Sequence, residues 1–399
     1  MPTKNIGSNF CYNCTKEDAV GKKGTSIFKI TKTIRNLEES EIGDNLLYYD
    51  YSVNHLLSLH KKGVAKDSPE FINAFRSFEG EVYENLVYEK LLRYVNEHEH
   101  VEKFIVKGPH KKRTQPLPNT LSVNWKGQIV YRTRRKEIGE FDALIFTKHQ
   151  LYFVEMTLVK SVTNLKRRLR KKIALLQTIF PQYEIKALLV LSEGVTGVNH
   201  LPDYCTVWIT KEFSAERVFE WLSDPRKPKR KPFERIKGKK IVGTGNMKIK
   251  EFPYYSTLAW ILKKSRSTGN DVLNLDFLTT KTLTRYHDLF TKIYIGYIEM
   301  AEFKKLYPSF KTTSPADKVY VSIEKEHTGA LVLTYFMQHS KKRLDNILLK
   351  KGELSVQKKD PFGITVTEIN HISKAVNTSH RLTRQDILDI QTLLSQHKY

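Results

Sequence analysis

Two acids lie inside apolar, strand-forming runs. Asp142 falls in Gly139-Glu140-Phe141-Asp142-Ala143-Leu144-Ile145-Phe146, and Glu155 in Leu151-Tyr152-Phe153-Val154-Glu155-Met156-Thr157. A carboxylate buried alone is costly, because its charge loses water without gaining a partner. Two carboxylates that converge on a hard divalent cation such as magnesium have their charge compensated and their oxygens coordinated. The chemistry suggested by this pair is therefore that of a metal held at the end of a sheet.

The elements that would position the pair are legible around it. Thr147-Lys148-His149-Gln150 separates the two runs as a polar turn, so they read as a β-hairpin that brings Asp142 beside Glu155. Alternation puts Leu151, Phe153, Glu155 and Thr157 on one face of the second strand. A helix is expected over residues 78–98, with Val82, Leu86, Tyr88, Leu91 and Val95 as its apolar positions. Glu84 shares the stripe of Tyr88, Leu91 and Val95 and is a candidate third acid; a surface or capping glutamate favoured by the helix dipole is its other reading. After the hairpin, residues 161–180 carry the clearest helical pattern. Leu165, Leu169, Ile173, Leu176 and Phe180 form its apolar stripe, Ser161 or Thr163 offers a cap, and Pro181 ends it. Its opposite face is Lys166, Arg167, Arg168, Arg170, Lys171 and Lys172. Strands at 101–106, 185–191 and 206–210 and a helix at 214–222 complete an order of helix, three strands, helix, strand. That order predicts an α/β sandwich around one mixed sheet.

At these residues the chain resembles the PD-(D/E)xK nuclease superfamily, the restriction-endonuclease-like fold. The first helix of that family often reads G-x-x-(F/Y)-E, as in Gly80-Glu81-Val82-Tyr83-Glu84. Its central acid often stands in (N/G)-E-(I/F)-D, as in Gly139-Glu140-Phe141-Asp142, and its next strand commonly ends in E-x-K, where this chain has Glu155-Met156-Thr157. The resemblance spans residues 78–224. It implies a mixed central sheet flanked by helices, with Mg2+ or Mn2+ held by Asp142, Glu155 and the Met156 carbonyl, and by Glu84 through a water. The catalytic set it implies is Glu84, Asp142, Glu155 and Thr157, with Lys160 or Lys166 supplying the charge that Thr157 lacks. The basic helix face, Lys166, Arg167, Arg168, Arg170 and Lys171, is expected to hold a phosphate backbone, and Tyr131, Arg132, Arg134 and Arg135 to add contacts or stacking.

Composition frames this reading. The chain has 399 residues and a formal net charge of +24, which favours a polyanionic partner. No apolar run approaches the roughly 18 residues of a membrane span, and the chain opens on Met1-Pro2-Thr3-Lys4 without an apolar signal segment, so an intracellular, cytoplasmic protein is expected. Three cysteines are too few for a disulfide scaffold; Cys205 reads as a buried thiol, and Cys11 with Cys14 as a weak zinc pair that His55 or His60 would complete. The expected divisions are a partly helical N-terminal extension (1–75), a nuclease-like domain (76–225), an exposed basic linker (226–240) and an α+β C-terminal domain (241–399). In that last domain helices are expected at 255–264, 283–300, 341–350 and 383–396, with a hairpin pairing 319–324 and 331–337. The expected function is metal-dependent phosphodiester hydrolysis by an endonuclease, DNA ahead of RNA, in a setting such as restriction, transposition or anti-phage defence. An inactive nucleic-acid-binding module and a structural subunit of a nucleoprotein assembly are the alternatives. A homodimer or protein partner would engage the C-terminal domain.

Overall fold

The computed structural model describes residues 30–35, 37, 42, 44–111, 120–132, 137–211, 213–226, 229–246, 260–264, 274–278, 280–290, 292–312, 315–326, 329–340, 343–350, 353–357 and 381–396. Cys11, Cys14, Arg134 and Arg135 lie outside them.

The helix expected from residue 78 starts nine residues earlier. Ser68 accepts the Phe71 N–H on its hydroxyl and Pro69 occupies the first turn, so the long helix α2 runs Pro69–Glu97, after a shorter α1, Asn54–Lys61. Phe78, Val82, Tyr83, Leu86, Tyr88, Leu91 and Val95 of α2 are buried against the sheet. Because α2 is longer than expected, Glu84 stands mid-helix. The helix-dipole reading of that acid therefore does not apply, since the effect fades beyond the first turn.

Seven strands form the main sheet: β1 (Ile30–Ile34), β2 (Lys103–Ile105), β6 (Ala143–Phe146), β7 (Gln150–Thr157), β8 (Glu184–Ser192), β9 (Cys205–Thr210) and β10 (Ile241–Val242). Their order is β1-β9-β8-β7-β6-β2-β10. The β2-β6-β7 part is antiparallel, while β7-β8-β9-β1 runs parallel. Parallel neighbours need crossovers, and helix α3 (Leu165–Ile179) supplies the one between β7 and β8. Val154, Met156, Leu188, Val190 and Trp208 belong to the core cluster that includes α2, so alternation turns Phe153 and Glu155 to the other face, toward α3. The fold is thus mixed α/β with helices flanking a mixed sheet, as the order of elements predicts. The helix 214–222 appears as α4, Glu216–Ser223. No capping hydrogen bond comes from Ser161 or Thr163 to α3; Asn164 is its N-cap residue.

The expected first strand of the hairpin is in fact two. The basic stretch 107–136, whose three prolines predict a loop-rich insertion with a pair of short strands at most, contributes two, β3 (Thr120–Val123) and β4 (Ile129–Arg132). These pair with β5 (Glu137–Phe141) in a separate three-stranded antiparallel sheet. The chain leaves that sheet at Phe141 and enters the main sheet at Ala143, so Asp142 sits at the junction.

The expected basic linker is also not free. Contacts divide the chain after Glu251, into residues 1–251 and 252–399, so 1–75 and 226–240 belong in one unit with 76–225. Asn45 exchanges two 2.9 Å hydrogen bonds with the Glu234 backbone, Arg230 donates to the Leu47 carbonyl at 2.6 Å, and Phe104 donates to the Lys240 carbonyl at 2.8 Å. The second unit carries a five-stranded antiparallel sheet in chain order: β11 (Lys292–Glu299), β12 (Lys318–Lys325), β13 (Leu331–Ser340), β14 (Arg343–Lys350) and β15 (Glu353–Gln357). The β12–β13 hairpin matches expectation. Two expected helices do not: 283–300 divides into a helix, Lys281–Leu289, and strand β11, and 341–350 is strand β14. A C-terminal helix, Arg384–Gln396, is present.

A buried acid that the sequence pattern does not flag holds the first unit together. Glu89 of α2 is fully buried and accepts from Asn45 at 3.1 Å, Tyr49 at 2.9 Å and Arg93 at 2.7 Å, with His110 Nε2 at 2.6 Å. Burial alone would push its carboxyl up, but His110, Arg93 and Asn45 together hold it below the usual range. Replacing Glu89 with Ala removes the acceptor that four polar groups share and leaves the buried Tyr49 and His110 without it. Its unfolding free energy in urea should fall by roughly 3–5 kcal/mol, and an unchanged value would refute this role.

Candidate active site

The site forms where the β6–β7 pairing ends. Register pairs Ala143 with Val154, so the next step brings residue 142 level with 155. Asp142 has left the strand, and its Oδ2 accepts the Met156 N–H at 2.8 Å. Its carboxylate is therefore fixed by the backbone of the strand that carries Glu155. Gly139, at the start of this motif, lies under Leu175 of α3 so closely that a Cβ would come within 2.6 Å of its side chain.

Glu155 is fully buried and doubly paired. Lys172 Nζ contacts its Oε1, and Arg168 Nη2 lies 2.5 Å from its Oε2. Arg168 and Lys172 are four residues apart on α3, so both reach the same carboxylate from one side of the helix. Lys172 itself is buried, whereas Arg168 has half its side chain in solvent. Sequence periodicity put Lys172 on the basic outer face with Ile173 in the stripe. The buried positions are instead Leu165, Leu169, Lys172, Leu176 and Ile179, joined by Ala174 and Leu175, and Ile173 is only partly buried. The spacing of four, three, four, three was visible, and the lysine within it was the signal that went unread.

Other charged groups surround this pair. Burial, then Asp142, then Glu140 push the Glu84 carboxyl up to about 8, with Lys107 and Lys172 acting against them. Burial pulls the Lys172 ammonium down from its ordinary value, opposed by Asp142, Glu140 and Glu84. Glu140 stands at the rim, exposed and touched by Gln128; desolvation on its protein side and Asp142 raise its carboxyl. Lys107, buried and with Nζ 5.1 Å from the Tyr88 ring centroid, is a second cation that sequence reading missed. The structure thus gathers Glu84, Glu140, Asp142, Glu155, Lys107, Lys172 and Arg168.

Several expected residues stand elsewhere. Thr157 is half-buried at the end of β7. Lys160 is exposed in the following loop, where its carbonyl accepts the Thr196 N–H at 2.9 Å, and Lys166 makes no ion pair with the site acids. The lysine nearest the carboxylates is Lys172, not either of them. Lys166, Arg167, Arg170 and Lys171 are partly exposed on α3. Arg132 is half-buried at the end of β4, and Tyr131 is fully buried, which removes it as a stacking platform. His55 lies 3.6 Å from Glu70 and His60 packs on Phe219.

The donor set fits a hard divalent cation in kind. Asp142 and Glu84 offer oxygen only, crowd one another in a desolvated place, and are under-compensated enough for Glu84 to keep its proton near neutrality. Among the described residues no three His, Cys, Asp or Glu side chains converge closely enough to enclose an ion. Glu155 is turned to Lys172 and Arg168 instead. Comparison with protein-family models, with curated proteins and with solved structures finds no match for this chain. No described helix is long and apolar enough to cross a membrane.

The Glu84 environment gives a pH prediction. In the unfolded chain this carboxyl loses its proton near its ordinary value of 4.5, while the folded chain keeps it to about 8. The folded state binds more protons between these values, so this group's contribution to stability falls as pH rises through that window. With chelator present, Glu84→Gln should remove that contribution and raise the melting temperature more at pH 8 than at pH 5. An equal shift at both pH values would refute the assignment.

Proposed function

We propose that this chain is a metal-dependent nuclease with a restriction-endonuclease-like core, hydrolysing phosphodiester bonds of nucleic acid, DNA ahead of RNA. The observation that carries this reading is Lys172. Three acids and a lysine are the set expected for such a site, and Lys172 brings to Glu155 and Asp142 the positive charge that position 157 lacks, from the helix instead of the strand.

Each part of the site has a chemical role in this reading. Asp142 and Glu84 would hold Mg2+ or Mn2+, with Glu155 and the Met156 carbonyl adjoining. When bound, the cation would polarise the phosphodiester and favour attack by water. The Lys172 ammonium would offset the negative charge that builds on the phosphoryl oxygens, in a desolvated place where such an interaction is strong. Lys107 would add to that positive potential. The Thr157 hydroxyl can accept or donate a hydrogen bond to water but supplies no charge. Lys166, Arg167, Arg170 and Lys171 on α3 would grip the backbone beside the cut without reading sequence.

A second reading, an inactive nucleic-acid-binding module, is favoured by the ion pairs that Glu155 makes with Lys172 and Arg168, although its Oε2 accepts no hydrogen bond among the described residues. Incubation with single- and double-stranded DNA and RNA, with Mg2+, Mn2+ or chelator, separates the two. The wild type should cleave only with metal. Asp142→Asn and Glu84→Gln should each lower the rate by roughly 10²-fold or more while retaining binding. Cleavage that persists undiminished in both variants would overturn the site. Absence of cleavage by the wild type, with binding that weakens steeply with salt, would favour the module.

A further inference from the structure

The segment 229–240 is held along α2 by its backbone. The Lys231 N–H donates to Asp44 at 2.8 Å and its carbonyl accepts from the Tyr48 hydroxyl at 2.5 Å. Glu234 is tied through its backbone to Asn45, and its carboxylate lies 3.4 Å from Arg93. Asn96 donates to the Lys237 carbonyl at 3.2 Å, and the Lys240 carbonyl accepts from Phe104. Phe233 packs its ring 4.7 Å from that of His110 and 5.4 Å from that of Tyr48. At Gly238 the approach to α2 is so close that a Cβ would lie 2.2 Å from Asn96 Oδ1.

Arg230 and Lys240 turn back onto the Leu47 and His98 carbonyls, while four basic side chains between them stay in solvent. Lys231, Arg235, Lys237 and Lys239 are exposed, and none has a carboxylate partner among the described residues. The contacts with α2 itself are made at Arg93 and Asn96, the first of them about two and a half helical turns along the same helix from Glu84. A solvated linker would leave its backbone in water as well. Here the ordering entropy of the backbone is met by folding, so a row of cations is presented in a fixed place.

We infer that this strap is a second backbone-binding surface for the nucleic acid, engaging phosphates beyond those held by α3. The inference rests on the nucleic-acid reading of the site and adds to it the path that the polyanion takes along α2. Contacts of this kind add affinity and register but no base readout.

The test uses the full-length chain with chelator present, so that binding is read without cleavage, and fluorescence anisotropy of a labelled DNA duplex across a salt series. The triple variant Arg235→Gln/Lys237→Gln/Lys239→Gln should bind about 10-fold or more weakly, and the slope of log K against log salt should become shallower by roughly 2 to 3. Its melting temperature should match the wild type, because the substituted side chains are exposed. Affinity and slope equal to wild type would overturn the strap. If Lys166→Gln/Arg167→Gln weakens binding in the same series while the strap variant does not, the strap fails and the nuclease reading stands. If the wild type binds no nucleic acid, both fall. Binding of the wild type to anionic lipid vesicles in place of DNA, lost in the strap variant, would also overturn the inference in favour of a membrane surface.

Discussion

The buried contact of Lys172 with Glu155 is the constraint on which the rest of the site depends. Glu155 lies in β7 with no water to solvate it, and such a charge is tolerated only when paired. Lys172, equally buried, arrives from α3, and Arg168 one turn away completes the compensation. This contact fixes the rotation of α3 about its own axis. With Lys172 pointing inward, Leu169 and Leu176 are set against the sheet, and the remaining cations of α3 are left toward solvent as one face. The same pair brings a positive charge within electrostatic reach of Asp142, Glu140 and Glu84, which lie on three different elements.

Asp142 is positioned by a different device. A residue within a paired strand has its side chain set by the pleat. At the junction between β5 and β6 the backbone is released from pairing, and the carboxylate can turn to accept the Met156 N–H. Helix α3 packs on both sheets that meet there, against β5 and β8, and α2 packs on the other face of the main sheet, against β7. Glu84 reaches the junction from α2, which is itself anchored by the Glu89 network to residues 45–49, His110 and the strap. Loosening that network would move Glu84 relative to Asp142 without touching either.

Much of this was legible in the sequence, and the misses have definable causes. The α2 and α3 helices, β7, β8 and β9 follow from apolar periodicity, and Asp142, Glu155 and Glu84 stood out as acids inside apolar patterns. Lys172 did not, because a lysine among six cations reads as part of a solvated face; only the stripe 165, 169, 172, 176, 179 marks it as interior. Glu89 was missed for a different reason: apart from Arg93 one turn along α2, its partners Asn45, Tyr49 and His110 come from segments far apart in sequence. The strap was read as a linker because its side chains are exposed, while the contacts that pin it are made by its backbone, which composition cannot report. Strand β14 was read as a helix because Leu344, Ile347 and Leu348 fit a helical spacing, and pairing with β13 and β15 decided otherwise.

The central claim is that Lys172 supplies the charge absent at position 157. Its most direct test is the metal-dependent cleavage rate of Lys172→Met alone and combined with Thr157→Lys, with folding checked by circular dichroism. The single variant should lose most of its rate, roughly 10²-fold or more, and the double variant should regain part of it, because a lysine at position 157 extends from the same face of β7 as Glu155. A Lys172→Met protein that is folded and cleaves at the wild-type rate would contradict the account.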